Sequence, residues 1–303
     1  MSRVVSWAFI LVSAFLAGCV CAPSAAGQSV FLDQGAMHPK PPRVPDEVVF
    51  AGETIRFDRS DLRERMDREL ISFTYMHSNS LLILRRADRF FRQVVPILRE
   101  QGLPEDLKYL MVIESNLDPR AVSSAGAAGL WQFTRDTARE YGLECSAEVD
   151  ERYNIEKETR AACAYLKKAH DRFGDWLSVA ASYNSGQNGI AKRREDQRQR
   201  SALDLWMPEE TSRYIFRMLA AKLFLLNPES FGFHVDPDEI YPYIPPRRTV
   251  TVGAAIPNLT DFAEEHGVTY ARLKEANLWL RDNKLTNKAG KTYRIIIPGD
   301  NPR

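Results

Sequence analysis

The sequence predicts a mainly α-helical chain that ends in a small β-α-α-β module. Apolar residues recur at three- and four-residue steps from about residue 78 to 228, the period of amphipathic helices. No convincing alternating strand interrupts them. In roughly the last sixty residues, two β-branched runs flank two short helical patterns.

Each element can be justified in order. Leu81, Leu84, Ala87, Phe91, Val94 and Leu98 form one apolar stripe, closed by Gly102. Pro104 opens a second helix with Glu105 and Asp106 in its first turn, where the helix dipole favours carboxylates. Asp175 is placed as an N-cap for a helix starting at Trp176, with Gly186 as its stop. Pro208, Glu209 and Glu210 start a long helix that runs to about Leu226, ended by Asn227-Pro228. After Pro245-Pro246, Thr249–Val252 reads as a strand, Leu259–His266 and Tyr270–Asn277 as helices, and Tyr293–Ile297 as a final strand. No second copy of this unit follows.

The 303 residues carry 41 Lys and Arg against 40 Asp and Glu, a net charge of +1 that offers no basic footprint for nucleic acid. The locally basic run Lys192–Arg200 is broken by Glu195 and Asp196 and reads as a solvated face. At the N-terminus, Arg3 precedes an apolar stretch from Val4 to Ala17, short for a membrane span and placed like a secretory signal. It ends in Leu16-Ala17-Gly18-Cys19, which resembles the lipobox of bacterial lipoproteins. That resemblance implies cleavage before Cys19 and a lipid on its thiol, holding the protein to a membrane without a spanning helix. The residue after Cys19 is Val20, not the Asp of an inner-membrane retention signal, which points to the periplasmic side of the outer membrane. From Ala22 to about Val48 the chain is rich in Pro, Gly, Ser and Ala, the composition of a tether. The expected organisation is a signal peptide over 1–18, an anchored linker over 19–48 and a helical segment over 49–94. A helical domain over 95–230, a linker over 231–246 and the terminal module over 247–303 complete it.

Export also bears on the cysteines. Cys145 and Cys163 lie in the globular part and, in an oxidising compartment, have a disulfide open to them, free thiols being the other reading. They lack the CxxC or His partners of a zinc site, and no metal or cofactor is expected.

The candidate chemistry starts at Glu114. Leu107, Leu110, Met111 and Glu114 share one helical face, so the carboxyl stands among apolar side chains that raise its pKa. Such a carboxyl holds a proton near neutral pH and can deliver it to a glycosidic oxygen. Asp118-Pro119 is expected to end this helix, leaving Glu114 beside a loop. A structural pairing of Glu114 with Arg120 or Arg135 is the alternative. Downstream stand Ser123, then Gly126-Ala127-Ala128-Gly129-Leu130-Trp131-Gln132, then Ala181-Ser182-Tyr183-Asn184-Ser185-Gly186, and Tyr214 within Glu210–Tyr214.

This set, from the Glu-Ser pair onward, resembles the lysozyme-like domain of lytic transglycosylases over residues 95–230, most closely the membrane-bound type D branch. The resemblance implies that Glu114 is the catalytic acid and base and that peptidoglycan glycan strands are the substrate. It also implies that Gln132, Tyr183 and Asn184 line the cleft, that Ser123 orients Glu114 or the substrate's acetamido group, and that Tyr214 reaches Glu114. Gly126 and Gly129 would let backbone approach a sugar ring. Trp131 either stacks on a sugar or fills core, and Tyr214 at helical spacing is also compatible with core. No second carboxylate stands out in these motifs, whereas ordinary glycosidases use two. One acid suits substrate assistance, and the family implies a 1,6-anhydromuramic product. A goose-type hydrolytic lysozyme and a non-catalytic peptidoglycan-binding scaffold remain alternatives. The C-terminal module resembles a divergent LysM domain, a binder of N-acetylglucosamine chains. It has Asn277-Leu278-Trp279-Leu280 where LysM has Asn-Pro, so a purely structural appendage is the other reading.

Overall fold

The computed structural model describes residues 40–288 and 290–300. The signal peptide, Cys19 and the tether up to residue 39 lie outside the described residues. Among the described residues no helix is long and apolar enough to cross a membrane.

The chain begins with an antiparallel hairpin of β1 (Glu47–Phe50) and β2 (Glu53–Arg56), in register Glu47↔Arg56 to Phe50↔Glu53. Its turn, Ala51-Gly52, has both residues at positive φ, 52° and 85°, the twist-matched geometry of two-residue hairpins. This hairpin is absent from the sequence expectation and starts two residues inside the segment read as linker. It is ordered because Val48, Phe50, Ile55 and Phe57 are buried in the main core.

Two helices follow, α1 (Ser60–Tyr75) and α2 (His77–Glu100). A 3-10 turn at Glu105–Leu107 leads into α3 (Lys108–Ser115), then come α4 (Arg135–Glu140) and α5 (Ile155–Phe173). The helical domain closes with α6 (Trp176–Ser185), α7 (Gln187–Gln197) and α8 (Glu209–Leu226). Asp175 caps α6 by accepting from the Ser178 amide at 2.7 Å, and Gly186 ends it, both as the sequence predicts. The long helix begins after Pro208 and ends before Asn227, also as predicted.

Helix α8 is the central strut, with Phe216, Met218, Leu219 and Phe224 fully buried against α1, α3 and α6. Its link to α1 includes a buried carboxylate: Glu69 accepts from Arg213 at 2.6 Å and from Arg217 at 3.3 Å. Burial of an ion is tolerable only when it is so paired.

The C-terminal module is a two-stranded antiparallel sheet of β3 (Arg248–Val252) and β4 (Tyr293–Ile297), enclosing α9 (Leu259–Glu265) and α10 (Tyr270–Ala276). Asn277 is fully buried and pins α10 to β4, donating to Ile296 O at 2.7 Å and accepting from Ile296 N–H at 2.8 Å. The module docks on the segment 144–153 of the helical domain. The Asp150 amide donates to Trp279 O, the Arg281 amide to Glu148 O, and the Tyr293 hydroxyl to Glu144 at 2.9 Å. Val149 and Tyr153 enter the module's own core beside Leu280 and Tyr293. The segment expected as linker, 231–246, also packs: the Tyr241 amide donates to Arg85 O, Arg89 donates to Pro242 O, and Arg85 pairs with Glu239.

Cys145 and Cys163 are both free thiols in this structure. They sit in different surroundings. Cys145 packs beside Asp150 and Cys163 is sealed in α5, and burial raises both thiols, Cys163 to about 11.

Candidate active site

Glu114 stands in the last turn of α3, on the stripe that Leu107, Leu110 and Met111 make fully buried. The helix stops sooner than Asp118-Pro119 would require. Asn116 and Leu117 both take left-handed backbone, φ 51° and 56°, and turn the chain away directly after Glu114-Ser115. Left-handed geometry is costly for a side chain such as Leu, and here it is held by burial of Leu117 and by Arg86, which donates to Asn116 O at 3.2 Å. Asp118 sits in the turn that follows, accepting from the Arg120 amide at 2.9 Å.

The Glu114 carboxyl makes one hydrogen bond among the described residues, from the Tyr214 hydroxyl at 2.6 Å, across a hundred positions of sequence. It keeps a part-exposed edge, yet most of its surroundings are protein. Its pKa is raised to about 7: desolvation pushes it up most, the Tyr214 hydrogen bond holds it lower, and the negative charge of Glu210 adds to the rise. Neither Arg120 nor Arg135 pairs with it: Arg120 meets Glu275 and Arg135 meets Asp150. The Arg120 or Arg135 pairing is therefore not the one Glu114 makes.

Of the other expected residues, Tyr214 touches this carboxyl, Tyr183 feels its charge, and the rest are held by other contacts. Tyr214 is buried in the second turn of α8. Asn184, at the end of α6, is held by the first turn of α8: it donates to Glu210 at 3.2 Å and accepts from Thr211 at 2.7 Å. Tyr183 donates its hydroxyl to Trp131 O at 2.8 Å and packs edge-on against Phe133 and Tyr165. Burial drives its pKa up, helped by the nearby Glu114 charge. Gln132 adopts φ 51° and spends its amide nitrogen on Ala121 O at 3.1 Å and Gly129 O at 2.8 Å, which leaves its carbonyl oxygen for a ligand. Ser123 makes no hydrogen bond to Glu114. Its hydroxyl accepts from the Ala127 amide at 3.1 Å and closes the turn of the loop. Trp131 is core, fully buried, with its indole N–H on Thr159 at 3.0 Å.

Sequence reasoning missed the floor of this loop. Glu158 on α5 is fully buried and accepts from the Trp131 amide at 3.2 Å, and desolvation holds its pKa well above the carboxylate norm. Arg152, also buried, pairs with Asp150 at 2.8 Å and donates to Gly126 O and Phe133 O at 2.7 and 3.0 Å. These two side chains tie both ends of the 126–133 loop from beneath. Gly129 makes a close approach here, to Arg152 O and Glu158. Sequence spacing gave no signal for either partner. Glu210 and Thr211 were detectable, since Glu210 lies four residues before Tyr214 on one helical face.

Two known domain families match this chain. Residues 97–205 match the Transglycosylase SLT domain, and residues 248–301 match the Soluble lytic transglycosylase C-terminal LysM-like domain. The chain thus carries a lysozyme-like SLT domain followed by a LysM-like module.

It is homologous to membrane-bound lytic murein transglycosylase D of Escherichia coli (strain K12), at 28% identity over 258 residues. That match covers 82% of this chain and 55% of the relative, so the chain spans about half the length of the relative it matches. A putative tributyltin chloride resistance protein of Alteromonas sp. (strain M-1) is 32% identical over 108 residues, 35% of this chain and 52% of its own length. Among solved structures, lytic transglycosylase Slt of Pseudomonas aeruginosa aligns with a TM-score of 0.38 and 24% identity, over 50% of this chain and 26% of that one.

Proposed function

We propose that this protein is a lytic transglycosylase cleaving the β-1,4 bond between N-acetylmuramic acid and N-acetylglucosamine in peptidoglycan. The observation that carries this reading is the Glu114 carboxyl, desolvated to a pKa of about 7 and oriented by Tyr214. At that pKa, both protonation states are accessible near neutral pH, which suits one residue acting first as acid and then as base. Glu114 gives its proton to the glycosidic oxygen, and the N-acetyl oxygen of the muramic residue stabilises C1 as the bond breaks. The Glu114 carboxylate then takes the proton of the C6 hydroxyl, whose oxygen bonds to C1. A 1,6-anhydromuramic end forms, no water is consumed, and Glu114 is protonated again. Gln132, Asn184, Tyr183 and Ser123 are assigned to the cleft that holds the strand, with the LysM-like module as a further contact to it.

Glu210 supports a second reading, as its negative charge is felt by Glu114. A hydrolase on this framework would use Glu210 to activate water, the two-carboxylate arrangement of glycosidases. Digestion of purified sacculi with mass spectrometry of the released muropeptides decides between them. Anhydro ends are expected; reducing ends would establish the hydrolase, and no released product the scaffold.

Tyr214 makes a separate prediction about pH. For proton donation Glu114 must start protonated, so kcat/KM falls as pH rises through about 7. Tyr214→Phe removes the contact that lowers this pKa, so the alkaline limb is expected to move to higher pH. A limb that stays in place would show that Tyr214 does not set the acid.

We also assign the protein to the periplasmic side of the envelope, tethered through lipid on Cys19, on the strength of the Leu16-Ala17-Gly18-Cys19 pattern. Cys19→Ala is expected to lose metabolic palmitate labelling, and retained label would sink the anchor.

A further inference from the structure

The loop joining α7 to α8 is fixed at almost every residue, yet it presents one large aromatic to solvent. Ser201 caps a 3-10 turn at Ala202–Asp204. Ala202, Leu205 and Met207 are buried. Arg59 pairs with Asp204, Arg65 donates to Leu203 O, and Arg68 pairs with Glu209. The Trp206 backbone is clamped on both sides by one side chain: its amide donates to Gln197 Oε1 at 2.7 Å and its carbonyl accepts from Gln197 Nε2 at 2.9 Å. The Trp206 side chain takes no part in this, and the residue is 86% exposed.

Leaving an indole in water forgoes the largest apolar burial any side chain offers. A flexible loop would fold it inward. Here the surrounding anchors hold it out, which is how a rigid, low-entropy contact surface is built.

Its position says what the surface faces. Trp206 precedes Glu210 by four residues, so their Cα atoms lie within about 14 Å of each other. Glu210 and Thr211 hold Asn184, and Tyr214 on the same helix holds Glu114. The indole thus stands on the loop that leads into the helix organising the cleft, within reach of a polymer bound there. The exposed Arg198 and Arg200 precede it and supply the positive charge that a carboxylate-bearing strand favours.

We propose that Trp206 forms a saccharide-stacking subsite, binding a ring of the glycan strand remote from the bond being cut. The proposal rests on the peptidoglycan reading above. The apolar face of a pyranose ring lies on the indole, and Gln197 acts as the positioning residue that keeps the indole turned outward.

The test uses the full chain in a Glu114→Gln background, so that binding to purified sacculi is read by cosedimentation without digestion. Adding Trp206→Ala is expected to weaken retention about tenfold, and Trp206→Phe by less than about threefold, since a smaller ring still stacks. Thermal melting followed by circular dichroism stays unchanged in both. With Glu114 intact, Trp206→Ala raises KM for sacculi about tenfold and leaves kcat in place. Unchanged retention overturns the proposal, as does equal loss in the Ala and Phe variants or loss that follows a lowered melting temperature. So does intact sacculus retention with lost binding to anionic phospholipid vesicles, which would assign the indole to a membrane surface. If the wild type yields no anhydro ends while the Trp206 effect on retention persists, the catalytic reading fails and the subsite stands.

Discussion

Glu114→Gln is expected to abolish release of muropeptides from sacculi, with a rate loss of at least about 10²–10⁴-fold. The amide keeps the shape of the side chain and still accepts the Tyr214 hydroxyl, so binding and fold persist while the transferable proton is gone. Stability gives an independent check. A carboxyl whose pKa is about 7 in the folded chain and 4.5 in the open one favours folding fully below pH 4.5. That advantage fades as pH rises through 7, a cost on the order of 3 kcal/mol at alkaline pH. Glutamine does not ionise and escapes this cost. The variant should therefore melt higher than the wild type at pH 8, and the gap should close towards pH 4.5. An inactive variant that melts lower at pH 8 would point to a structural role for Glu114. Wild-type muropeptide release would remove it from the chemistry altogether.

The parts of this site that were legible in the sequence are those set by local physics. Asp175 and Gly186 bound α6, and Pro208 and Asn227 bound α8, because caps and prolines act on their own turns. The apolar stripe around Glu114 announced a desolvated carboxyl, and the structure places it there. Tyr214 reached Glu114 as the family resemblance implied, although its spacing alone was compatible with core. The rest depended on contacts between distant segments. Glu158 reads as an ordinary charge on α5 and becomes the buried floor of the 126–133 loop only when α5 passes beneath Trp131. Leu117 ends α3 in a left-handed conformation that no propensity favours, since its burial outweighs the local cost. The β1–β2 hairpin was hidden because two four-residue strands beside a Pro-rich tether carry little periodic signal. The segment 231–246 has the composition of a free linker, and its hydrogen bonds to α2 are tertiary facts.

Gly129→Ala is expected to disrupt the fold around the active site far more than Gly126→Ala, although both glycines have positive φ, 84° and 76°. The left-handed backbone alone costs an alanine roughly 1–2 kcal/mol at either position. At Gly126 a methyl group meets nothing within 4 Å. At Gly129 it would lie 1.8 Å from Arg152 O and 2.5 Å from Glu158 Oε2. Neither neighbour can retreat cheaply. The Arg152 backbone is held through its guanidinium by Asp150, Gly126 O and Phe133 O, and Glu158 is enclosed on all sides. Relief must come from the loop itself, lifting Gly129 off α5 and breaking the Glu158 contact to the Trp131 amide and the Gln132 contact to Gly129 O. Overpacking of this kind typically adds about 1–3 kcal/mol, and the lost buried hydrogen bonds add about 1–3 kcal/mol more. In a domain of this size each kcal/mol shifts the melting temperature by about 2–4 °C. A drop of about 10 °C or more is therefore expected for Gly129→Ala, against about 2–8 °C for Gly126→Ala, measured by calorimetry. Muropeptide release should fall with the first and largely survive the second, because the first displaces Gln132 and the Trp131 carbonyl that Tyr183 holds. Equal melting temperatures for the two variants would mean that the loop is not clamped from beneath, and that the Arg152 and Glu158 contacts do not hold the cleft in shape.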